Sequence, residues 1–333
     1  MNNTMSDTMN GNVNDKGNGN RKSAAPARVI AAGGASLAHF TAARNTCKLC
    51  APLGACFVYK GIEGCVPLLH GSQGCATYIR RYLISHFREP VDIASSSLTE
   101  SSTVFGGQND LAAALDNIIR QYSPAIIGIA TTCLSETMGE DVAAWLAHYK
   151  KSAAGRPLPE LIWASTPSYR GSHMQGFHAA VNGAVGHLAR GGPKEKRINL
   201  FGGLFSCADI RHLHTVMRSY GSAYTIFPDY SETLDGPSWD RYVGIPAGGT
   251  PLADMAHMGR AAATIVFGDP GSESTAAAAY LKDSFGVDYF VCDYPIGMDN
   301  CNRFHVLLTA ITGVDTAECF SGERGRLADA YID

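Results

Sequence analysis

Short continuous apolar runs alternate along this chain with longer stretches of helical spacing. The run P-A-I-I-G-I-A-T-T-C at 124–133 predicts a buried strand, with a helix over 140–151 after it. E-L-I-W-A-S-T at 160–166 predicts a neighbouring strand, followed by a helix from about 176 to 190. The segment 191–196 (G-G-P-K-E-K) is polar and rich in breakers, and reads as a boundary. Beyond it the alternation resumes, with strands at 197–202, 223–227, 263–267 and 288–293 and helices at 208–220 and 273–285. Unbroken apolar strands between helices indicate parallel sheets covered on both faces. The predicted fold class is α/β, with two Rossmann-like parallel-sheet domains at 29–192 and 193–333. Residues 1–28, rich in Asn, Gly, Ser and Lys, read as a disordered tail. The last stretch, 322–333, predicts an amphipathic helix that ends without a cap, so either it docks on a partner or the sequence continues.

Composition narrows the function classes. A chain of 333 residues that is 45% hydrophobic can bury the cores of two domains. A formal charge of −3 leaves no basic stripe for nucleic acid. No apolar run approaches the roughly 18–20 residues that span a bilayer, and the start has no apolar secretory signal. A cytoplasmic protein is expected. Ten cysteines in a chain this long and reduced are free thiols or metal ligands rather than a disulfide framework.

Three of those cysteines carry the chemistry. Cys50, Cys75 and Cys133 each sit in a turn of small residues, in C-K-L-C-A-P-L-G-A, L-H-G-S-Q-G-C-A-T-Y and I-A-T-T-C-L-S-E. Thiols drawn from separate loops suit an iron–sulfur cluster better than a zinc knuckle. Cys75 precedes a stretch of helical spacing, so its sulfur falls at a helix start that favours thiolate. Gly71 and Gly74 are expected to let backbone N–H groups approach cluster sulfurs. Pro52 is expected to stiffen the loop after Cys50, and Gly54 to leave room for the inorganic core. Cys133 closes its strand, and Ser168 follows the next one. Ligands of parallel sheets gather at the carboxyl ends of strands, so the two share a rim.

The other motifs are read more plainly. Cys47 and Cys50 form a C-x-x-C, but no second pair follows at zinc-ribbon spacing and no thioredoxin context surrounds it. Cys56, Cys65, Cys207, Cys292, Cys301 and Cys319, with Cys47, read as small apolar side chains. His70 either bonds a cluster sulfide or packs with its ring satisfied. Residues 95–100 form a polar loop that caps a helix or lines a crevice. The glycines of V-F-G-G-Q-N at 104–109 make neither a dinucleotide fingerprint nor a phosphate loop, so no nucleotide is expected here.

The motifs C-x-P-L-G-A, H-G-S-Q-G-C, H-F-R-E-P-V-D-I-A-S-S-S, V-F-G-G-Q-N, T-T-C-L-S-E-T and T-P-S-Y-R-G-S-H occur here in order. In them the chain resembles the β-type subunit of nitrogenase component 1, from about residue 45 to the end. The resemblance implies that Cys50, Cys75 and Cys133 are the β-side thiolates of a P-type eight-iron seven-sulfur cluster, or of a smaller iron–sulfur cluster. It implies that Ser168 joins a cluster iron on oxidation and that Phe105 lies where an ATP-dependent iron protein docks. An α-type subunit, in an α2β2 assembly, would complete the cluster and hold the catalytic metallocluster, so no catalytic residue is assigned to this chain. The family continues into a third α/β domain, which should begin where this chain ends. Two functions remain open: a nitrogenase or nitrogenase-like reductase, and the β-type chain of the cofactor-assembly scaffold. F-P-D-Y-S-E-T-L-D-G-P and I-P-A-G-G-T-P resemble scaffolds and nitrogenase-like reductases, whereas retention of all three cysteines leans toward a reductase.

Overall fold

The computed structural model describes residues 49–87, 90–238, 240–268, 273–316 and 319–332. The expected tail at 1–28, and Cys47, lie outside the described residues. The first half of the fold builds one parallel sheet. Helix α1 (Ala51–Lys60) leads into β1 (Cys65–His70), α2 (Gln73–Phe87) and the two-residue β2 (Ala94–Ser95). Helices α3 (Glu100–Phe105) and α4 (Gln108–Tyr122) lead to β3 (Ile126–Thr131). Then come α5 (Cys133–Met138), α6 (Val142–Ser152), β4 (Glu160–Ala164) and α7 (His173–Leu188). The strands lie in the order β2-β1-β3-β4, all parallel.

The second half repeats the scheme with β5 (Arg197–Phe201), α8 (Cys207–Ser219), β6 (Ala223–Phe227) and α9 (Leu252–His257). It continues through β7 (Ala263–Phe267), α10 (Ala276–Phe285), β8 (Asp288–Cys292), α11 (Gly297–Thr312) and α12 (Ser321–Ile332). Its sheet is also parallel, in the order β6-β5-β7-β8. The α/β class and both parallel sheets are as the hydrophobic pattern predicts. Every residue of β3 and β7 is buried, so these strands read as unbroken apolar runs.

Side chains of the first sheet alternate between two covered faces. Ile126 and Ala130 of β3 share a core cluster with Leu53 and Tyr59 of α1 and Phe177 and Val181 of α7. Ile127 and Ile129 point the other way, clustered with Leu111, Leu115 and Ile118 of α4 and Val142 and Leu146 of α6. Each fully buried Leu or Ile stabilises by roughly 1.5–3 kcal/mol, so a sheet clamped on both faces is a stiff platform for whatever its loops carry.

Helix α1 corrects the expectation of a stiff loop after Cys50. Pro52 falls in the first turn, where its missing N–H costs nothing and its fixed φ suits the helix. Gly54 does not make room for an inorganic core. A Cβ there would lie 1.8 Å from the His173 carbonyl oxygen, and one on Gly176 would lie 1.8 Å from the Ala51 carbonyl oxygen. The two glycines let the backbones of α1 and α7 touch. Tyr59 of α1 then lies across Gly128 of β3, its hydroxyl donating to the Ile129 carbonyl at 2.9 Å.

Candidate metal centre

Three neighbouring strands end at one rim, and each hands on to a residue of the predicted set. β1 pairs with β3 through His70 and Thr131, and β3 with β4 through Ala130 and Ala164. Past His70 the chain turns through Gly71 and Ser72 into α2, whose third residue is Cys75. Past Thr131, Thr132 caps α5, whose first residue is Cys133. Cys133 thus opens a short helix rather than closing its strand, because the Thr132 and Ser135 side chains bond each other's backbone N–H groups in a capping box. Past β4, the loop 165–172 carries Ser168 over the same rim. Cys50 arrives from α1, whose N-cap it is, and an isolated antiparallel bridge pairs it with Ser172.

The structure brings Cys50, Cys75, Cys133 and Ser168 together. The Ser168 backbone N–H donates to Cys133 Sγ at 3.2 Å, and Ser168 Oγ accepts from the Ala51 N–H at 3.1 Å. Cys50 and Cys133 are exposed and Cys75 is half-buried. Burial pushes the Cys75 thiol up, and the Cys50 and Cys133 sulfurs push it further the same way. The Cys75 sulfur therefore lies within electrostatic reach of the other two. The helix start alone predicts a lowered Cys75 thiol; its own backbone N–H does pull that way, and loses. A cationic group among the sulfurs would reverse the balance.

Among the described residues, no three His, Cys, Asp or Glu side chains are grouped closely enough to hold one metal ion. A mononuclear tetrahedral site needs ligands about 2.3 Å from a single point, so these thiols do not form one. A multi-iron cluster takes its thiolates around its perimeter, from separate loops. Three soft sulfur donors with a hydroxyl beside them suit that kind of group. Replacing Ser168 with Ala deletes the acceptor of the Ala51 N–H. The expected loss is about 1 kcal/mol, seen as a lower urea midpoint at unchanged slope; an equal midpoint would show that this bond does not stabilise the fold.

The remaining cysteines differ in kind. Cys56, Cys65, Cys207 and Cys292 are buried. Burial pushes the Cys65 thiol up to about 12 and Cys56 higher still, which makes both inert at neutral pH. His70 is fully buried with both ring nitrogens engaged, Nδ1 by Ser96 Oγ at 3.0 Å and Nε2 by Glu140. It packs with its ring satisfied. Gly71 is not open to sulfur either: its N–H donates to Ser96 Oγ at 3.0 Å, and a Cβ would strike the Thr132 side chain. In the 95–100 loop, Thr99 caps α3 in a capping box with Ser102.

Phe105 stands apart from the thiols, at the end of α3 before Gly106, whose φ is +89°. It is 88% exposed and Val104 beside it 75%, an unusual display of apolar surface at a helix tip. Glu140 was not singled out in the sequence. It is buried and joins this tip to His70, and its partners lie 33 and 70 positions away, where no local pattern reaches.

A family model for nitrogenase component 1 type oxidoreductases matches residues 50–333. The nitrogenase molybdenum-iron protein β chain of Clostridium pasteurianum is 36% identical over 293 residues, covering 87% of this chain and 63% of that protein. The β chain of Bradyrhizobium diazoefficiens is 35% identical over 300 residues, covering 87% and 57%. The nitrogenase iron-molybdenum cofactor biosynthesis protein NifN of Mesorhizobium japonicum is 34% identical over 298 residues, covering 88% and 64%. Among solved structures, nitrogenase Cp1 at pH 6.5 matches with a TM-score of 0.82 at 36% identity, covering 86% of this chain and 62% of that one. The chain spans less than two thirds of the length of each of these relatives. No helix among the described residues is long and apolar enough to cross a membrane.

Proposed function

Because this chain belongs to the nitrogenase component 1 type oxidoreductase family, we propose that it is a β-type subunit of a nitrogenase or nitrogenase-like reductase. Cys50, Cys75 and Cys133 hold its half of a P-type eight-iron seven-sulfur cluster, and an α-type subunit supplies the other half in an α2β2 assembly. When bound, the cluster takes electrons from an ATP-dependent iron protein and passes them toward a metallocluster in the α-type subunit. The observation that supports this most is the shared rim of β1, β3 and β4, where the Ser168 N–H is bonded to Cys133 Sγ and Ser168 Oγ to the N–H of the residue after Cys50.

The residues divide the work. Two exposed thiols and a half-buried one present a donor set that is open on one side. Such a set has to be completed by another surface, which ties metal loading to subunit assembly. Ser168 keeps a hard oxygen donor beside Cys133, suited to a centre whose charge rises on oxidation. Phe105 offers the iron protein an aromatic anchor. Replacing Phe105 with Ala should weaken iron-protein binding by about 30-fold, the size of a 2 kcal/mol hot spot, and leave iron content unchanged.

The match to NifN favours a second reading, in which the chain serves a cofactor-assembly scaffold. Anaerobic co-purification with the α-type subunit, iron counting, and electron paramagnetic resonance in reduced and oxidised states test the proposal. A reductase gives a cluster signal that changes on oxidation and substrate turnover driven by the iron protein. A loaded complex that turns over nothing under those conditions supports the scaffold. A complex without iron at these thiols refutes both.

A further inference from the structure

Behind the exposed tip at Phe105 runs a buried line of hydrogen bonds that ends at the Cys75 turn. The Gly107 N–H donates to Glu140 Oε1 at 2.5 Å. Glu140 Oε2 is bonded to His70 Nε2, and the two side chains are 3% and 0% exposed. Nδ1 of His70 meets Ser96 Oγ at 3.0 Å, and Ser96 Oγ accepts from the Gly71 N–H at 3.0 Å. Burial pushes the His70 imidazole down despite Glu140. The line is satisfied when Nε2–H donates to Glu140 and the Ser96 hydroxyl donates to Nδ1.

The line reaches two ligand turns. His70 and Gly71 open the turn to Cys75. The His70 carbonyl also accepts from Ser135 Oγ at 2.8 Å and from Thr132 Oγ1 at 3.2 Å, which fixes the cap just before Cys133. A separate bond ties the near end of α3 to the same place, as the Leu98 N–H donates to the Gly71 carbonyl at 2.9 Å. Helix α3 is thus tethered to the Cys75 turn at both ends, by Leu98 before it and by Gly107 after it. A buried carboxylate is costly unless paired, and an apolar side chain would fill this space without that cost. Packing alone does not account for Glu140.

We propose that Glu140 is a positioning residue that couples the Phe105 tip to the turns presenting Cys75 and Cys133. This rests on the reading of Phe105 as the iron-protein docking site. Anything that shifts α3 on docking pulls on Gly107, and Glu140 carries the displacement to His70 and its two turns.

The test uses the α/β complex with a nitrogenase-type iron protein and a non-hydrolysable ATP analogue. Amide hydrogen exchange is followed at 71–75 and 132–135. In the native complex, iron-protein binding should change exchange there by at least about 5-fold, the low end of an allosteric coupling. Glu140→Ala should abolish that response and slow iron-protein-driven reduction by about 10-fold to 100-fold. Iron content and reduction by dithionite should stay as in the native complex. Glu140→Gln offers one carbonyl oxygen to two donors, so it should give an intermediate response, and it decides the matter alone if the Ala variant does not fold. A full-sized exchange response in either variant overturns the role of Glu140. If Phe105→Ala leaves iron-protein binding intact, the docking reading itself fails, which binding to that variant reports separately from exchange.

Discussion

Replacing Cys75 with Ala is expected to strip the cluster from an otherwise folded chain. Iron at this site should fall at least about 100-fold in affinity, since losing a direct ligand exceeds the 10–100-fold effect of losing a neighbour of one. The cluster signal in electron paramagnetic resonance and iron-protein-driven reduction should vanish, while the α-type subunit keeps its own metallocluster. The fold should tolerate the change. Cys75 is only half-buried, it sits in the first turn of α2, and alanine is the better helix former. A change in unfolding free energy within about 1 kcal/mol is expected on those grounds. Cys56→Ala is the matched control, because that thiol is sealed in the core and its loss should leave iron content alone. Native iron content and activity in the Cys75 variant would remove this thiol from the ligand set.

The second large effect is structural. Gly176→Ala should destabilise the chain by about 3 kcal/mol or more, at or beyond the usual range for overpacking a core. The added Cβ meets the Ala51 carbonyl at 1.8 Å, and a backbone oxygen cannot rotate away as a side chain does. Helices α1 and α7 would have to part. The gain in helix propensity, about 1 kcal/mol, has the opposite sign and is too small to offset the clash. Because Cys50 caps α1, and Ser168 holds the Ala51 N–H, parting the helices also dismantles one side of the thiol site. Urea unfolding reads the loss as a lower midpoint. A midpoint equal to or above the native one would mean that α1 and α7 are not in contact here.

Much of the fold was legible because burial on both faces writes strands as apolar runs. The strands at 223–227 and 263–267 match β6 and β7 residue for residue, and the others agree within a few positions. Several elements were not read, among them α3, α4, α9 and α11, and three of the missed ones have a clear physical reason. Helix α1 was hidden by Pro52 and Gly54, which look like breakers but serve a first turn and a helix contact. Strand β1 carries Pro67 in its middle, normally an argument against a strand. On the β2 side only Leu68 and Leu69 are paired, so Pro67 has no paired residue on that flank. Helix α5 is only six residues long and begins two residues past the end of β3, and a capping box rather than a hydrophobic period creates it.

The site was legible by a different route. Each thiol announced itself through its own small-residue turn, but only the strand order β1-β3-β4 brings the turns to one rim. The Glu140 line could not be read in advance, since every bond in it is long-range and Glu140 itself lies in none of the motifs that hold its partners.

Diffraction at the iron absorption edge, from crystals of the chain with its α-type subunit, tests the central claim most directly. The account predicts anomalous peaks within bonding distance of Cys50, Cys75 and Cys133 Sγ, continuing into density bonded to the other subunit. Thiols with no iron beside them in a complex that is otherwise iron-loaded and active would contradict it.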